Sequence, residues 1–271
     1  MLVDHIVVSR ESIKSNDAYA IIKSNISVVN YLLEEGAEPG ELSPDALGSY
    51  YVDYYLAEVT NGGIAQFMFN CCGEHRILDH VTRALPLLGA TGHAGLFSEV
   101  RARWDAMDAE EKRVFLDGGF FNSPDPFEGL SDRFYELNGS EDLIELNSAF
   151  IRNHPNLEVI RLKRLEAHLA GIIRTIPDLA ARLAERERLA EENKPRYARI
   201  IDVICEEYGM ELVRITAGDP GFIHEGGERV AWHFLTDHGH YSMVDMGERA
   251  VVFDDDGDEI AVVDIARVPT G

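Results

Sequence analysis

Apolar side chains recur at roughly helical spacing through most of residues 12–155, which predicts a helical region. Local chemistry marks where the helices end and begin. Gly36 suits a helix C-terminus, and Ser43-Pro44 combines an N-cap with proline at the first helical position. We expect helices at 17–35, 44–60, 64–72, 75–88, 94–106 and 142–153, with another after the Asp108–Glu111 capping box.

The pattern changes in two steps after residue 155. Residues 156–194 are rich in Leu, Ala, Arg and Glu, which predicts one or two long helices broken near Pro177. From Pro195 a predicted helix runs to Tyr208, and short β-like runs separated by glycine turns follow it. These runs are 211–216, 230–235, 241–244, 250–253 and 259–265.

Together these patterns predict an α+β protein. We expect an all-helical N-terminal domain at 1–155, a helical connector at 156–194 and a small α+β domain at 195–271. The last of these is predicted to be built on an antiparallel β-meander. No internal repeat or low-complexity linker interrupts the chain.

The charge of the chain is strongly acidic. With 25 Lys and Arg against 48 Asp and Glu, the formal net charge is −23. Residues 1–151 carry −15 and residues 199–271 carry −11, whereas the stretch between them is slightly basic. Such a surface repels nucleic acid and anionic membranes and attracts basic proteins and cations. Solubility alone needs less charge than this, although acidity that serves only solubility is the alternative interpretation.

Several features indicate a cytoplasmic protein. The short apolar patch at Ile6–Val8 is closely bracketed by charged residues, unlike a signal peptide, and no apolar run approaches the ~18 residues of a membrane span. Cys71 and Cys72 are adjacent and Cys205 is remote, so their spacing suits neither a disulfide framework nor a metal knuckle.

The GxSxG, Walker, HExxH and dinucleotide-binding GxGxxG motifs are missing from the sequence, which predicts neither an enzyme nor a cofactor. The acidic run 254–258 lacks EF-hand spacing and predicts a hairpin tip instead. Strand alternation places His238 and His240 on one face and His233 elsewhere, so three metal ligands do not converge. An enzyme or metal protein using this hairpin, with Asp237 completing the site, is the alternative.

The most distinctive segment is a tyrosine-rich amphipathic helix, a glycine turn and a second helix. The turn is Asn61-Gly62-Gly63, where either glycine can adopt the left-handed conformation. Gln66 and Asn70 are four residues apart, so their amides share one helical face. These amides hydrogen-bond the turn backbone or each other in one interpretation, and contact a partner in the other.

This segment resembles the DNA-mimic-protein domain family, whose motif runs Glu-x-x-Asn-Gly-Gly-x-x-Gln-aromatic-x-x-Asn. The matching residues are Glu58, Asn61, Gly62, Gly63, Gln66, Phe67 and Asn70. Further similarity at 84–90, 130–135 and 150–153 extends the resemblance over roughly residues 45–155. It implies an all-helical domain that dimerises and presents carboxylates to a DNA-binding protein as a decoy for duplex DNA.

We therefore predict a non-catalytic acidic binding protein with no metal, no direct nucleic-acid ligand and no membrane contact. The expected partner is a basic protein, such as a DNA-binding regulator or a nuclease, and a homodimer follows from the resemblance. Asp53 and Glu58 are the expected partner contacts because they lie on the motif helix, and the other motif residues are expected to be structural. The alternative is an immunity or antitoxin-like protein that neutralises a basic nuclease toxin.

Overall fold

The computed structural model describes residues 1–118 and 125–269, and the chain divides into two compact units at residue 183. We call residues 1–183 the helical unit and residues 184–271 the sheet unit. The division falls inside the stretch 156–194 that was predicted as a connector. No helix in the described ranges is both long enough and apolar enough to cross a membrane.

The helical unit begins with a short strand and then consists mainly of helices. Its elements are β1 (Ile6–Ser9), α1 (Arg10–Lys14), α2 (Tyr19–Glu34), α3 (Pro44–Asn70), α4 (His75–Leu87), α5 (Thr91–Ala106), α6 (Ala109–Gly118), α7 (Leu130–Asn138), α8 (Leu143–Arg152), β2 (Leu157–Ile160), α9 (Leu162–Ile173) and α10 (Leu179–Glu192), the last continuing into residues of the sheet unit. The predicted start signals are confirmed. Ser43 Oγ accepts from the Asp45 and Ala46 amides, and Asp108 and Glu111 cap each other's backbone.

The strand pair of the helical unit was not predicted, and helix α7 was not among the predicted helices. Strand β1 pairs in parallel with β2, with Ile6 opposite Leu157 and Ser9 opposite Ile160. The expectation of helix throughout 156–194 is therefore wrong for residues 157–160. A four-residue strand whose partner lies some 150 residues away leaves no periodic signal of its own.

The core of the helical unit is organised around α3. The Tyr55 ring is fully buried and meets Phe67, Phe97 and Phe134 edge-on, with ring centroids 5.0, 5.1 and 5.4 Å away. Edge-to-face contacts at these distances are the favoured geometry for aromatic rings. Helices α5 and α7 are therefore packed against both halves of α3.

The sheet unit confirms the predicted α+β class and the antiparallel meander. Helix α11 (Arg196–Tyr208) precedes β3 (Leu212–His224), β4 (Gly227–Thr236), β5 (Gly239–Asp245), β6 (Arg249–Phe253) and β7 (Glu259–Asp264). These strands lie in the order β3-β4-β5-β6-β7, each antiparallel to its neighbour. The turns fall at the glycines expected from the sequence.

The two faces of this sheet are covered differently. Helix α11 covers the first face, which carries Phe234, Met243 and Val252. These side chains form one buried cluster with Ile200, Ile201 and Ile204 of the helix. On the second face, Phe222 of β3 contacts Phe253 of β6 with ring centroids 5.1 Å apart. Because β3 and β6 are not neighbours in the sheet, the β3–β4 hairpin must bend over that face. Register shifts along β3 allow this bend.

Candidate functional site

The predicted glycine turn is a kink within α3. Gly62 has φ −152° and ψ 24°, and Gly63 has φ 82° and ψ −179°, so neither continues the helix. A kink frees backbone groups on both sides, because the ladder from each N–H to the carbonyl four residues earlier is interrupted. These freed groups need other hydrogen-bond partners.

Helix α7 supplies those partners. The Ile64 N–H donates to Ser131 Oγ at 3.0 Å, and the Tyr135 hydroxyl donates to the Val59 carbonyl at 2.9 Å. One α7 side chain therefore bonds to α3 after the kink and another bonds to α3 before it. This arrangement holds α7 in a defined position on the kinked helix.

Three motif side chains form a clasp across the kink. Glu58 Oε2 accepts a hydrogen bond from Gln66 Nε2 at 2.7 Å and another from Asn70 Nδ2 at 2.6 Å. The two amides do share a face, as predicted, but they meet at Glu58 rather than at the turn backbone. Gln66 is only 6% exposed, so its amide depends on this carboxylate. We refer to Glu58, Gln66 and Asn70 as the kink clasp.

Both glycines are required by close packing at the kink. A Cβ on Gly62 would lie 2.1 Å from Gln66 Oε1, and a Cβ on Gly63 would lie 2.8 Å from Ser131 Oγ. Phe67, the next motif residue, is fully buried in the aromatic core, whereas Asn61 is exposed at the bend. The motif thus corresponds to a bent helix in which the Glu58 side chain, before the bend, accepts hydrogen bonds from side chains after it.

Asp53 lies on the same helix in a different environment. It is partly buried, and the Tyr19 hydroxyl donates to its Oδ2 at 3.4 Å. Burial raises the pKa of Asp53 to about 6, and the hydrogen bond from Tyr19 opposes that rise. The ionised form is therefore poorly solvated, and an external cation would stabilise it.

We expect Asp53→Asn to stabilise the helical unit. Since the folded pKa of about 6 exceeds the unfolded value of 3.8, the native state binds more protons between these pH values. Stability therefore falls as pH rises through that window. The Asn variant should gain about 1 kcal/mol at pH 8 and about half of that at pH 5, after allowance for solvent screening. Urea unfolding at both pH values measures the gain, and exposed Asp132→Asn should change stability by less than about 0.5 kcal/mol at either pH.

A second acidic region, which the sequence reasoning did not single out, surrounds α7. Residues 125–145 contain seven carboxylates and a single basic residue, Arg133. Leu130 and Phe134 are buried, so Asp132 and Glu136 lie on the exposed side of α7, and Glu128 is exposed in the turn just before the helix. We call these three residues the α7 acidic face. Among the described residues none of the three has an ion-pair partner within 4.0 Å, while Arg133 pairs with Glu99. Charge density along 125–145 was the available signal.

The histidines of the β4–β5 hairpin are arranged differently from the prediction. His233 lies opposite Ser242, and the rings of His233 and His240 stack with centroids 5.5 Å apart. The expectation that His233 points away from His240 is wrong, because the β4–β5 register places the two diagonally on one face. In the described ranges no group of three or more His, Cys, Asp or Glu side chains could hold a metal ion.

The acidic run after β6 forms the predicted hairpin tip. Asp254 Oδ1 accepts hydrogen bonds from the backbone amides of Asp256 and Asp258, at 3.1 and 2.9 Å. This carboxylate therefore organises the turn itself. Its role follows from the usual tendency of aspartate to bond its own backbone a few residues on.

Comparison with known proteins supports the resemblance seen in the motif. No curated protein and no solved structure matches the chain. A family model described as DMP19-like protein, after DNA mimic protein 19, matches residues 40–154. That stretch contains α3 to α8, and so includes the kink clasp and the α7 acidic face. Residues 40–154 of this chain are accordingly similar to the DMP19-like, DNA-mimic family, as the motif at the kink indicated.

Proposed function

We propose that this protein is a binding protein that occupies the DNA-binding surface of a basic protein, with the α7 acidic face as its main contact. The family supports a DNA-mimic role at a general level. The observation that carries the proposal is the α7 acidic face itself, which presents exposed carboxylates on a helix bonded to both sides of the α3 kink.

The physical basis is the spacing and fixed position of charge. Duplex DNA carries about one negative charge per 1.7 Å of its axis, so a decoy must hold several carboxylates in a regular row. Asp132 and Glu136 are one helical turn apart, which places them about 6 Å from each other along α7. Because α7 is tied to α3, these charges need not be ordered when the partner binds.

The two predicted contacts have different roles in this proposal. Asp53 is a second contact, since a guanidinium or ammonium group would stabilise its partly buried carboxylate. Glu58 is a positioning residue, because both of its described hydrogen bonds hold the kink clasp. In this proposal the kinked geometry of α3 serves to place α7.

A pull-down with the full chain as bait tests the proposal. Bound proteins from source-cell lysate are eluted in salt steps, with and without competing duplex DNA. We expect a basic DNA-binding protein that elutes at moderate salt and that DNA displaces, because both effects follow from phosphate-like contacts. Capture of a basic nuclease would identify the immunity alternative, and retention that DNA does not affect would contradict mimicry.

Neutralising the α7 acidic face should weaken that complex about tenfold at low salt. The variant carries Glu128→Gln, Asp132→Asn and Glu136→Gln. Its matched control carries Asp219→Asn, Glu228→Gln and Glu248→Gln in the sheet unit, which removes the same number of exposed carboxylates.

Calorimetric titration of the captured partner at several salt concentrations provides the measurement. The α7 variant should also show a shallower dependence of affinity on salt, because fewer counter-ions are released. The control should bind within about twofold of the unmodified chain. Equal losses in both variants would show that only net charge matters and would remove the α7 acidic face from the interface.

A further inference from the structure

The sheet unit contains a small cavity beyond the end of α11. It has a volume of about 190 Å³ and is lined by Tyr208, Met210, His238, Tyr241, Val252, Ile260 and Ala261. Val252 and Ala261 are paired across β6 and β7 on the sheet face that α11 covers. Because α11 ends at Tyr208, this part of the face is not covered by the helix.

The cavity is apolar and open to solvent. Tyr208 and Ile260 are 47% and 51% exposed, so two large side chains of the cavity lining are accessible from solvent. Sites for drug-sized ligands are usually about 300 Å³ or more. A volume of 190 Å³ therefore suits a single inserted side chain better than a free organic ligand.

The chain segments around the cavity are uniformly acidic. Residues 206–211, 237–241 and 252–261 contain nine Asp and Glu residues and no Lys or Arg. Arg267 is a basic neighbour, with its guanidinium 4.0 Å from the Glu206 carboxylate, and His240 pairs with Asp255. The C-terminal end of α11, closed by Gly209 at φ 63°, adds the negative end of a helix dipole. The rim therefore favours a cationic group.

We infer that this cavity is a docking site for an arginine side chain of a basic protein partner. The aliphatic stem packs on Val252 and Ala261, and the guanidinium lies at the mouth among the tyrosines and carboxylates. Arginine suits the site better than lysine, because its planar guanidinium is weakly hydrated and interacts favourably with aromatic rings. This contact is separate from the α7 acidic face and does not depend on the proposed function.

Nuclear magnetic resonance on the full chain tests the inference with a defined probe. The probe is a capped Gly-Arg-Gly-Arg-Gly peptide, and its neutral control carries citrulline in place of both arginines. We expect saturable shifts of the Met210 and Ala261 methyl signals with the arginine peptide. The citrulline peptide should bind about tenfold more weakly, because it keeps the shape of the side chain but not its charge.

Two isoleucine variants locate the contact. Ile260→Ala removes an exposed side chain from the cavity, and Ile223→Ala removes a comparably exposed one from β3. We expect Ile260→Ala to weaken binding of the arginine peptide about fivefold and Ile223→Ala to leave it unchanged. Because both side chains are largely exposed, both variants should fold.

Three outcomes would overturn the inference. Equal binding of the citrulline peptide would identify an apolar site without selectivity for a cation. Shifts that do not saturate, or that spread over carboxylates of both units, would indicate general charge attraction. Equal affinity of Ile260→Ala and the unmodified chain would place the contact elsewhere. None of these outcomes bears on the α7 variants, so the two proposals fail independently.

Discussion

Gly63→Ala is expected to destabilise the helical unit by about 2–4 kcal/mol. Gly63 has φ 82° and ψ −179°, a backbone conformation that is almost restricted to glycine. The new Cβ would also lie 2.8 Å from Ser131 Oγ, which accepts the Ile64 N–H. The substitution therefore adds backbone strain and disturbs the hydrogen bond that α7 makes to α3 after the kink.

Urea unfolding followed by tryptophan fluorescence gives the measurement. Trp104 lies in the helical unit and Trp232 in the sheet unit, so a Trp232→Phe background reports on the helical unit. Gly95→Ala is the control, because Gly95 is exposed within α5 and a Cβ there meets nothing within 4 Å. This control should be neutral or stabilising by up to about 1 kcal/mol.

A double variant separates the two causes of the loss. Ser131→Ala alone removes the acceptor for the Ile64 amide and should cost about 1 kcal/mol. If the contact with Ser131 Oγ contributes to the cost of Gly63→Ala, the double variant will lose less stability than the two single losses together. A Gly63→Ala variant as stable as the Gly95→Ala control would show that the kink does not require glycine.

Sequence patterns predicted most of the fold because its signals are local. Ser43, the Asp108–Glu111 box and Gly36 mark helix ends through bonds made within a few residues. The turn glycines of the meander act in the same way. Strand β2 was missed because its partner β1 lies in a remote part of the chain. Likewise, the stacking of His233 on His240 depends on the β4–β5 register, which alternation along a single strand does not define.

The sequence singled out the kink motif, but it did not show the roles of the motif residues, and it did not single out the α7 acidic face. The spacing of Glu58, Gln66 and Asn70 gives no sign of a shared hydrogen bond unless the kink between them is known. The sequence shows that Asp132 and Glu136 lie in a strongly acidic stretch. Only the burial of Leu130 and Phe134 shows that the side of α7 with these carboxylates is exposed. In both cases the role of a side chain depends on contacts between residues that are far apart in the sequence.

The second large effect is expected for Glu58→Ala, which should cost the helical unit about 2–3 kcal/mol. Glu58 accepts two hydrogen bonds across the kink, and one of them comes from the nearly buried Gln66 amide. Removing the carboxylate leaves that amide without its partner, and a buried donor without a partner is more costly than a lost surface ion pair. Glu58→Gln keeps an acceptor oxygen without the charge and should cost about 1 kcal/mol.

The same variant separates a positioning role from a contact role. Glu166→Ala is the control, since Glu166 is exposed within α9 and should change stability by less than about 0.5 kcal/mol. Urea unfolding in the Trp232→Phe background measures stability. Titration with the partner, at urea concentrations well below the unfolding midpoint, measures affinity. If Glu58 only positions the clasp, Glu58→Gln will bind nearly as well as the unmodified chain at equal salt. If Glu58 is instead a direct contact, its carboxylate must be free to meet a cation of the partner. Glu58→Gln will then lose affinity for the partner, and Glu58→Ala will cost the helical unit little stability.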